Sequence, residues 1–219
     1  QPVASADALG NTTRAELDYR TLSPSAVTGP NGERTAVAFD ALGMVVATAT
    51  MGRVAGAPQG DTLGGVEPLL TEAETRAAFA DPLAAPSDLL GDATTRLVYD
   101  LSAYARTRDA DQPAPTGVHT LARETHASNL PAGATSRVQH AFSYSDGFGR
   151  EIQKKIQAEG GRWVGSEWTE YDNKGNPVRQ WEPFFSGTHR CDFDAAIGVT
   201  KRLFYDPLSR AVAVLPYDP

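Results

Sequence analysis

One cysteine, Cys191, is the whole thiol content of this 219-residue sequence, so an internal disulfide is excluded and the redox compartment stays open. No stretch approaches the roughly 20 apolar residues that a membrane-spanning helix needs. Residues 1–11 lack the charged and apolar regions of a signal peptide. Positive charge is also short: 20 Lys and Arg stand against 27 Asp and Glu, for a net charge of −7. With no long block of like charge, the sequence carries no nucleic-acid footprint. What remains is ordinary globular material, 41% hydrophobic and 21% charged, long enough to bury about 70% of its unfolded surface. Turn residues are plentiful, with 20 Gly and 15 Pro, which favours many short strands.

One phrase recurs: an aspartate, two variable residues, a glycine, then a run of strand character. It occurs at Asp7–Gly10, Asp40–Gly43, Asp146–Gly149 and Asp172–Gly175, and a fifth copy starts at Asp206 with Ser209 in the glycine position. An aromatic residue stands just upstream in four copies, as Phe39, Tyr144, Tyr171 and Tyr205. The aspartate carboxylate can accept from backbone N–H groups two residues on, and the glycine can take the positive φ that closes the turn. The structural turn positions are therefore Asp7, Gly10, Asp40, Gly43, Asp146, Gly149, Asp172, Gly175 and Asp206, each phrase reading as one β-hairpin. Because the chain opens inside such a phrase, it is expected to be a piece of something larger.

The flanks agree with hairpins. Val37 and Phe39 lead into the second copy and Met44–Thr50 leads out; Trp163–Tyr171 and Val178–Trp181 flank the fourth; Leu203–Tyr205 and Val212–Val214 flank the fifth. Further strands are predicted at Arg96–Leu101 and Val118–Thr125. Thr71-Glu72-Ala73-Glu74 has the pattern of a capping box, so one short helix is expected to run to Ala80 and stop before Pro82. The predicted fold class is mainly β: an antiparallel hairpin sheet of ten or so strands, forming one unit over residues 1–219, with a helix-plus-loop insertion at about 52–95.

No convergent catalytic set stands out. His189 and Cys191 could make a metal or nucleophile–base pair, and Asp192 with Asp194 a metal-binding D-x-D, but ordinary strand or strand-edge positions are the plainer reading. Glu124 and His126 show neither a cleft nor a perturbed environment. Gly60–Gly65 lacks the Lys-Ser/Thr ending of a phosphate loop and reads as a flexible linker, and the Asp172–Asn176 turn lacks EF-hand spacing. Trp163, Trp168 and Trp181 read as core or cross-strand partners, with a stacking platform for glycans as the alternative. No cofactor and no metal are expected. A hydrolase-like enzyme built on His189, Cys191, Asp192 and Asp194 is the remaining competitor.

The phrase Tyr-Asp-x-x-Gly followed by Arg or Asn resembles the RHS/YD repeats. Tyr144–Lys155, Ala93–Asp100, Arg123–His126 and Val178–Phe185 are together similar to the middle-to-C-terminal region of the insecticidal Tc toxin B component, a region shared with plasmid-virulence proteins. The resemblance runs from about residue 35 to 215. It implies a non-catalytic, structural wall segment of a secreted toxin shell that encloses a cytotoxic effector. The implied partners are the rest of the B component, a C component that carries the effector, and indirectly the pore-forming A component, with no nucleic acid and no membrane span. A glycan- or subunit-binding β module of the same toxin is the alternative. The motif for release of the effector is not matched by any segment here.

Overall fold

Each of the five aspartate phrases makes the same turn in the structure, a computed structural model in which residues 3–53, 59–166 and 168–218 are described. The carboxylate Oδ1 accepts the N–H groups two and four positions on: Leu9 and Asn11 for Asp7, Leu42 and Met44 for Asp40, Phe148 and Arg150 for Asp146, Lys174 and Asn176 for Asp172, and Leu208 and Arg210 for Asp206, all at 2.8–3.0 Å. The aspartate carbonyl accepts the N–H of the fourth residue, Gly10, Gly43, Gly149, Gly175 or Ser209, at 3.0–3.1 Å. That fourth residue is left-handed, with φ of 82°, 82°, 77° and 85° in the glycines and 62° at Ser209, which costs a β-carbon-bearing residue about 1 kcal/mol or more.

These turns join consecutive strands. In chain order the elements are β1 (Ala4–Ala6), β2 (Thr12–Asp18), β3 (Ser23–Thr28), β4 (Glu33–Phe39), β5 (Val45–Arg53), α1 (Glu72–Ala80), α2 (Pro86–Leu90), β6 (Thr95–Asp100), α3 (Ala103–Thr107), β7 (Thr116–Arg123), β8 (Val138–Ser145), β9 (Glu151–Gln157), β10 (Trp163–Gly165), β11 (Thr169–Tyr171), β12 (Pro177–Gln180), β13 (Phe184–Ser186), β14 (Thr200–Tyr205) and β15 (Ala211–Asp218). The aspartate turns link β1–β2, β4–β5, β8–β9, β11–β12 and β14–β15, every pair antiparallel. In each, the residue before the aspartate pairs with the residue five after it, as Tyr171 with Pro177 and Tyr205 with Ala211.

The chain divides into two units, residues 1–98 with 120–140 and residues 99–119 with 141–219, and β6, β7 and β8 contribute residues to both. The first unit is an antiparallel meander in which β1 to β5 each pair with the next strand and β5 pairs with β6 through Ala47↔Arg96 and Thr48↔Thr95. Its core is Ala47, Ala78, Leu90, Ala93, Val98 and Leu121, with Leu63, Leu70 and Phe79 packed against it. The second unit has β8-β9-β10-β13 as neighbours and a separate sheet ordered β11-β12-β14-β15.

Mainly antiparallel β is the observed class, with details that differ from expectation. The insertion contains two helices rather than one: α1, with its capping box (Thr71 Oγ1 accepting from Glu74 N at 3.2 Å and Glu74 Oε2 from Thr71 N at 2.7 Å), and α2, which begins on Pro86 and ends at left-handed Gly91. Residues 54–58 of that insertion lie outside the described residues. A third helix, α3, follows β6, where Arg106 donates to Asp100 Oδ2 at 2.5 Å and Thr107 Oγ1 accepts from Ala114 N at 2.7 Å. The described residues hold fifteen strands; the turn between β3 and β4 uses Gly29-Pro30-Asn31-Gly32, which has the same closing bond without an aspartate. The run expected over Trp163–Tyr171 is broken into β10 and β11, which belong to different sheets. There Ser166 exchanges bonds with the backbone of Lys154, and the Phe184 ring covers Gly165 so closely that a β-carbon would lie 2.7 Å from it.

Urea unfolding of three variants should therefore rank by mechanism. Gly165→Ala is expected to lose about 1–3 kcal/mol by overpacking, and Gly149→Ala, with open space around its β-carbon, about 1 kcal/mol from φ strain alone. Ser209→Gly should change stability by less than about 1 kcal/mol in either direction. Equal losses at Gly165 and Gly149 would contradict the close packing of Phe184.

Candidate functional site

In the second unit the turns of Asp146, Asp172 and Asp206 follow one another through side-chain contacts. Arg150 donates through Nε to Asp146 Oδ2 at 2.7 Å, and its guanidinium lies 5.1 Å from the Phe148 ring centroid and 4.5 Å from that of Tyr171. Lys174 Nζ donates to the Pro207 carbonyl at 2.8 Å. The second carboxylate oxygen of Asp7, Asp172 and Asp206 is likewise taken by the side chain four positions on, Asn11, Asn176 or Arg210. Side-chain and backbone donation from Asn11 and Asn176 lowers the carboxyl pKa of Asp7 and Asp172. At Asp146 burial pushes the carboxyl up, but donation from Arg150 outweighs it and the net shift is downward. Donation from Arg210 lowers Asp206 in the same direction. Each of these carboxylates thus accepts at both of its oxygens.

Asp61 overturns the reading of Gly60–Gly65 as a flexible linker. Its side chain is wholly buried in the first unit and collects Thr94 Oγ1 at 2.6 Å, His126 Nδ1 at 2.7 Å and Ala127 N at 2.7 Å, with Arg123 Nε at 3.5 Å. Burial raises its pKa, and the donors Thr94, Ala127 and His126 with the charge of Arg123 reverse that into a net lowering. Arg123 also donates to the carbonyls of Ala93 at 2.6 Å and Gly91 at 2.5 Å. The glycines are there for contact: at Gly60 a β-carbon would meet the Thr50 carbonyl at 2.3 Å, and at Gly91 the Gly64 carbonyl at 2.8 Å. One carboxylate thus ties the glycine segment to the residue before β6, to β7 and to the loop after β7. A cleft of about 350 Å³ opens nearby, lined by Asp92, Arg123, Leu130, Pro131 and Ser136 among others. Glu124 and His126 do not come together: Glu124 faces Arg137 and Gln139.

His189, Cys191, Asp192 and Asp194 lie in a loop, not on a strand or strand edge as expected. β13 ends because Ser186 Oγ and Thr188 Oγ1 accept the N–H groups of Thr188 and Arg190, local bonds that replace the ladder. His189 packs its ring against Phe142 and Trp163, with centroids 4.8 and 5.6 Å away. Asp192 Oδ2 accepts from the fully buried Lys155 Nζ at 2.5 Å and from Ser186 Oγ at 2.9 Å, while Gln153 bonds both backbone groups of Asp192. Asp194 is held apart in a left-handed turn with φ 52°. Burial pushes the Cys191 thiol up to about 12, against the lowering influence of Lys155. A thiol so strongly protonated is a poor nucleophile.

All three tryptophans are buried, each less than a tenth exposed. Trp163 meets Phe142 edge-on, Trp168 meets Phe193, and Trp181 lies under the Arg179 guanidinium. A stacking surface for sugars requires exposed ring faces, and these faces are occupied by protein. Among the described residues no group of three His, Cys, Asp or Glu side chains gathers as metal ligands, and no helix is long and apolar enough to cross a membrane. Sequence reasoning missed Asp61, Arg123 and Lys155, whose roles depend on distant partners. It also missed the side chain four after each turn aspartate, although the Arg-or-Asn preference at that place was visible.

Replacing Asp61 tests the first cluster. Asp61→Ala should cost about 3–5 kcal/mol, the magnitude for breaking a buried, hydrogen-bonded charge pair. Because its folded pKa is lowered, the stability Asp61 contributes is full above its unfolded value of about 3.9. It is lost as pH falls through the folded value. Thermal melts should therefore show the deficit of Asp61→Asn at pH 7 shrinking towards pH 3; a deficit independent of pH would show that the charge is not what matters.

Three comparisons bear on this geometry. The profile of a domain of unknown function, DUF6443, matches residues 118–218. Among curated proteins nothing matches. Solved structures do: a crystal structure of TcdB2-TccC3-Cdc42 is 20% identical over 97% of this chain and 13% of its own, with a TM-score of 0.73. A crystal structure of TcdB2-TccC3 is 24% identical over 98% of this chain and 11% of its own, with a TM-score of 0.69. The Photorhabdus luminescens Tc holotoxin pore carrying a mutated TccC3 is 20% identical over 98% and 13%, with a TM-score of 0.70. The chain therefore spans only about an eighth of the length of these neighbours. Its fold, from the first hairpin to the last, is that of a stretch of the Tc toxin structures, as the resemblance in its repeats implies.

Proposed function

We propose that the chain is a non-catalytic wall segment of a secreted Tc-type toxin shell, in which it helps to enclose a cytotoxic effector carried by a C component. The observation that carries this reading is the match of almost the whole chain to TcdB2-TccC3 structures, joined to a turn chemistry that repeats through both units. A wall needs strands held in register and no reactive constellation. The polar groups that might have formed one are otherwise engaged: Asp192 neutralises Lys155, Asp61 takes three hydrogen bonds and the charge of Arg123, and the Cys191 thiol is held protonated. On this reading its partners are the rest of the B component and the C component, and the A component indirectly. The burial of the three tryptophans weighs against a glycan platform.

The test is containment. The B component is co-expressed with its C component, with and without residues 35–215 of this chain, and the enclosed effector is challenged with protease. Protection is expected with the intact segment and loss of protection without it, while the freed effector keeps its own activity. An effector still protected after the deletion would contradict the wall reading.

A further inference from the structure

Asn31 before Gly32 and Asp146 before Gly147 are the single Asn-Gly and the single Asp-Gly pair of this sequence. Glycine carries no β-carbon, so its nitrogen can approach the side-chain Cγ of the residue before it and close a five-membered imide. The two pairs sit in turns of the same outline, and the structure holds them in opposite ways.

Asp146 opens its turn, and its carboxylate is clamped: Oδ1 accepts from Phe148 N at 2.8 Å and Arg150 N at 3.0 Å, and Oδ2 from Arg150 Nε at 2.7 Å. Reaching Gly147 N would break all three bonds at once. The imide also forms from the protonated acid, and donors to the carboxylate oppose that form. Asn31 is the third residue of the β3–β4 turn, Gly29-Pro30-Asn31-Gly32, whose first residue has no side chain to bind the N–H groups two and four positions on. That turn is closed by Gly32 N donating to Gly29 O at 3.0 Å and Gly29 N donating to Glu33 O at 2.8 Å. Asn31 is exposed, and among the described residues its side-chain amide has no hydrogen-bond partner. The space beside Gly32 is open, since a β-carbon built there would meet nothing within 4 Å. Freeing Gly32 N for attack breaks one backbone bond at a sheet turn, a local opening that leaves the buried pair Ala26 and Ala36 of the flanking strands in place.

We propose that Asn31 is a site of self-modification, at which water converts the side-chain amide to a carboxylate by way of an imide with Gly32. Gly32 N bonds to Asn31 Cγ, the bond from Cγ to the side-chain nitrogen breaks, and that nitrogen leaves as ammonia with the proton that Gly32 N gives up. Water then opens the imide. Opening at the side-chain carbonyl gives aspartate; opening at the backbone carbonyl gives isoaspartate, in which the chain runs through Cγ and gains one methylene. Both products add a negative charge beside Glu33. The isoaspartate also lengthens a turn whose flanking register is Thr28↔Arg34, Val27↔Thr35 and Ala26↔Ala36. The hydrolysis is irreversible, so the converted fraction grows with the age of the chain. Asn173 is exposed in the same way but is followed by Lys174, whose β-carbon hinders the ring closure.

The test incubates the 219-residue chain at neutral and at alkaline pH and follows it by tryptic peptide mapping with mass spectrometry. Peptide 21–34 carries Asn31, peptide 138–150 carries Asp146 and peptide 163–174 carries Asn173. Synthetic linear peptides of the same three sequences are incubated alongside as controls without a fold. Two products, aspartate and isoaspartate, are expected to accumulate in 21–34 of the folded chain, at a rate within about tenfold of the linear peptide because a single exposed backbone bond must open. Conversion should be faster at alkaline pH, since Gly32 N attacks after losing its proton. Asn173 should lag Asn31 by more than about tenfold. Asp146 should isomerise in the linear peptide and stay unchanged in the folded chain. Gly32→Ala should slow conversion by more than about tenfold; because Gly32 has a φ of 84°, the same substitution is also made in the linear peptide, where no fold can be disturbed. A folded chain whose 21–34 peptide stays unchanged while the linear peptide converts would overturn the proposal. So would a rate indifferent to Gly32→Ala, or conversion at Asp146 or Asn173 of the folded chain as fast as at Asn31.

Discussion

An ionised aspartate that accepts two N–H groups of its own turn is the interaction on which the rest of this structure depends. A five-residue reversal leaves several backbone donors unable to reach the ladder, and unpaired donors are expensive. The Oδ1 atom takes two of them in every copy, and the carbonyl of the same residue takes a third. Because the residue before the aspartate then always pairs with the residue five after it, the turn sets strand register, and register decides which side chains face inward. Downstream packing follows: β4 and β5 present Ala36, Ala47 and Ala49 to the interior, and a one-residue slip would replace them with Thr35, Thr48 and Thr50.

This dependence explains which features were legible in the sequence. The turns were, because every group they use lies within five residues. The capping box of α1 was legible for the same reason, and Thr71 and Glu74 do bond reciprocally. The turn at Pro30-Asn31-Gly32 carried an equally local signal that an aspartate-centred reading passed over. Asp61 was not legible: its partners Thr94, Arg123, His126 and Ala127 lie 33 to 66 positions away in sequence. A glycine-rich stretch around it therefore looked like a linker, when the missing β-carbons serve backbone-on-backbone contact. Lys155 and Asp192 form the same kind of case, with 37 positions between them. His189 and Cys191 misled in the other direction, since alternation implies a shared face only on a strand, and Ser186 and Thr188 end the strand before it reaches them.

The two buried polar clusters differ from the turns in what they contribute. A buried ion pair gains little over an apolar replacement of the same shape, but is costly to break. Asp61 in the first unit and Lys155 with Asp192 in the second each join segments far apart in sequence, so their value lies in excluding other arrangements of those segments. Such specificity suits a chain whose strands resemble one another. In a β-rich chain, where many pairings of similar strands compete, turns that fix local register and charges that fix distant neighbours together leave one arrangement.

Native-state hydrogen exchange at the ten amides that donate to the turn aspartates tests this account most directly. At neutral pH the amides of Leu9, Asn11, Leu42, Met44, Phe148, Arg150, Lys174, Asn176, Leu208 and Arg210 should exchange far more slowly than exposed loop amides. In Asp146→Ala the protection of Phe148 and Arg150 should be lost, followed by weakened protection along β8 and β9. Rapid exchange of these amides in the unaltered chain, or an Asp146→Ala variant whose flanking strands stay fully protected, would contradict the claim that aspartate turns hold the sheet in register.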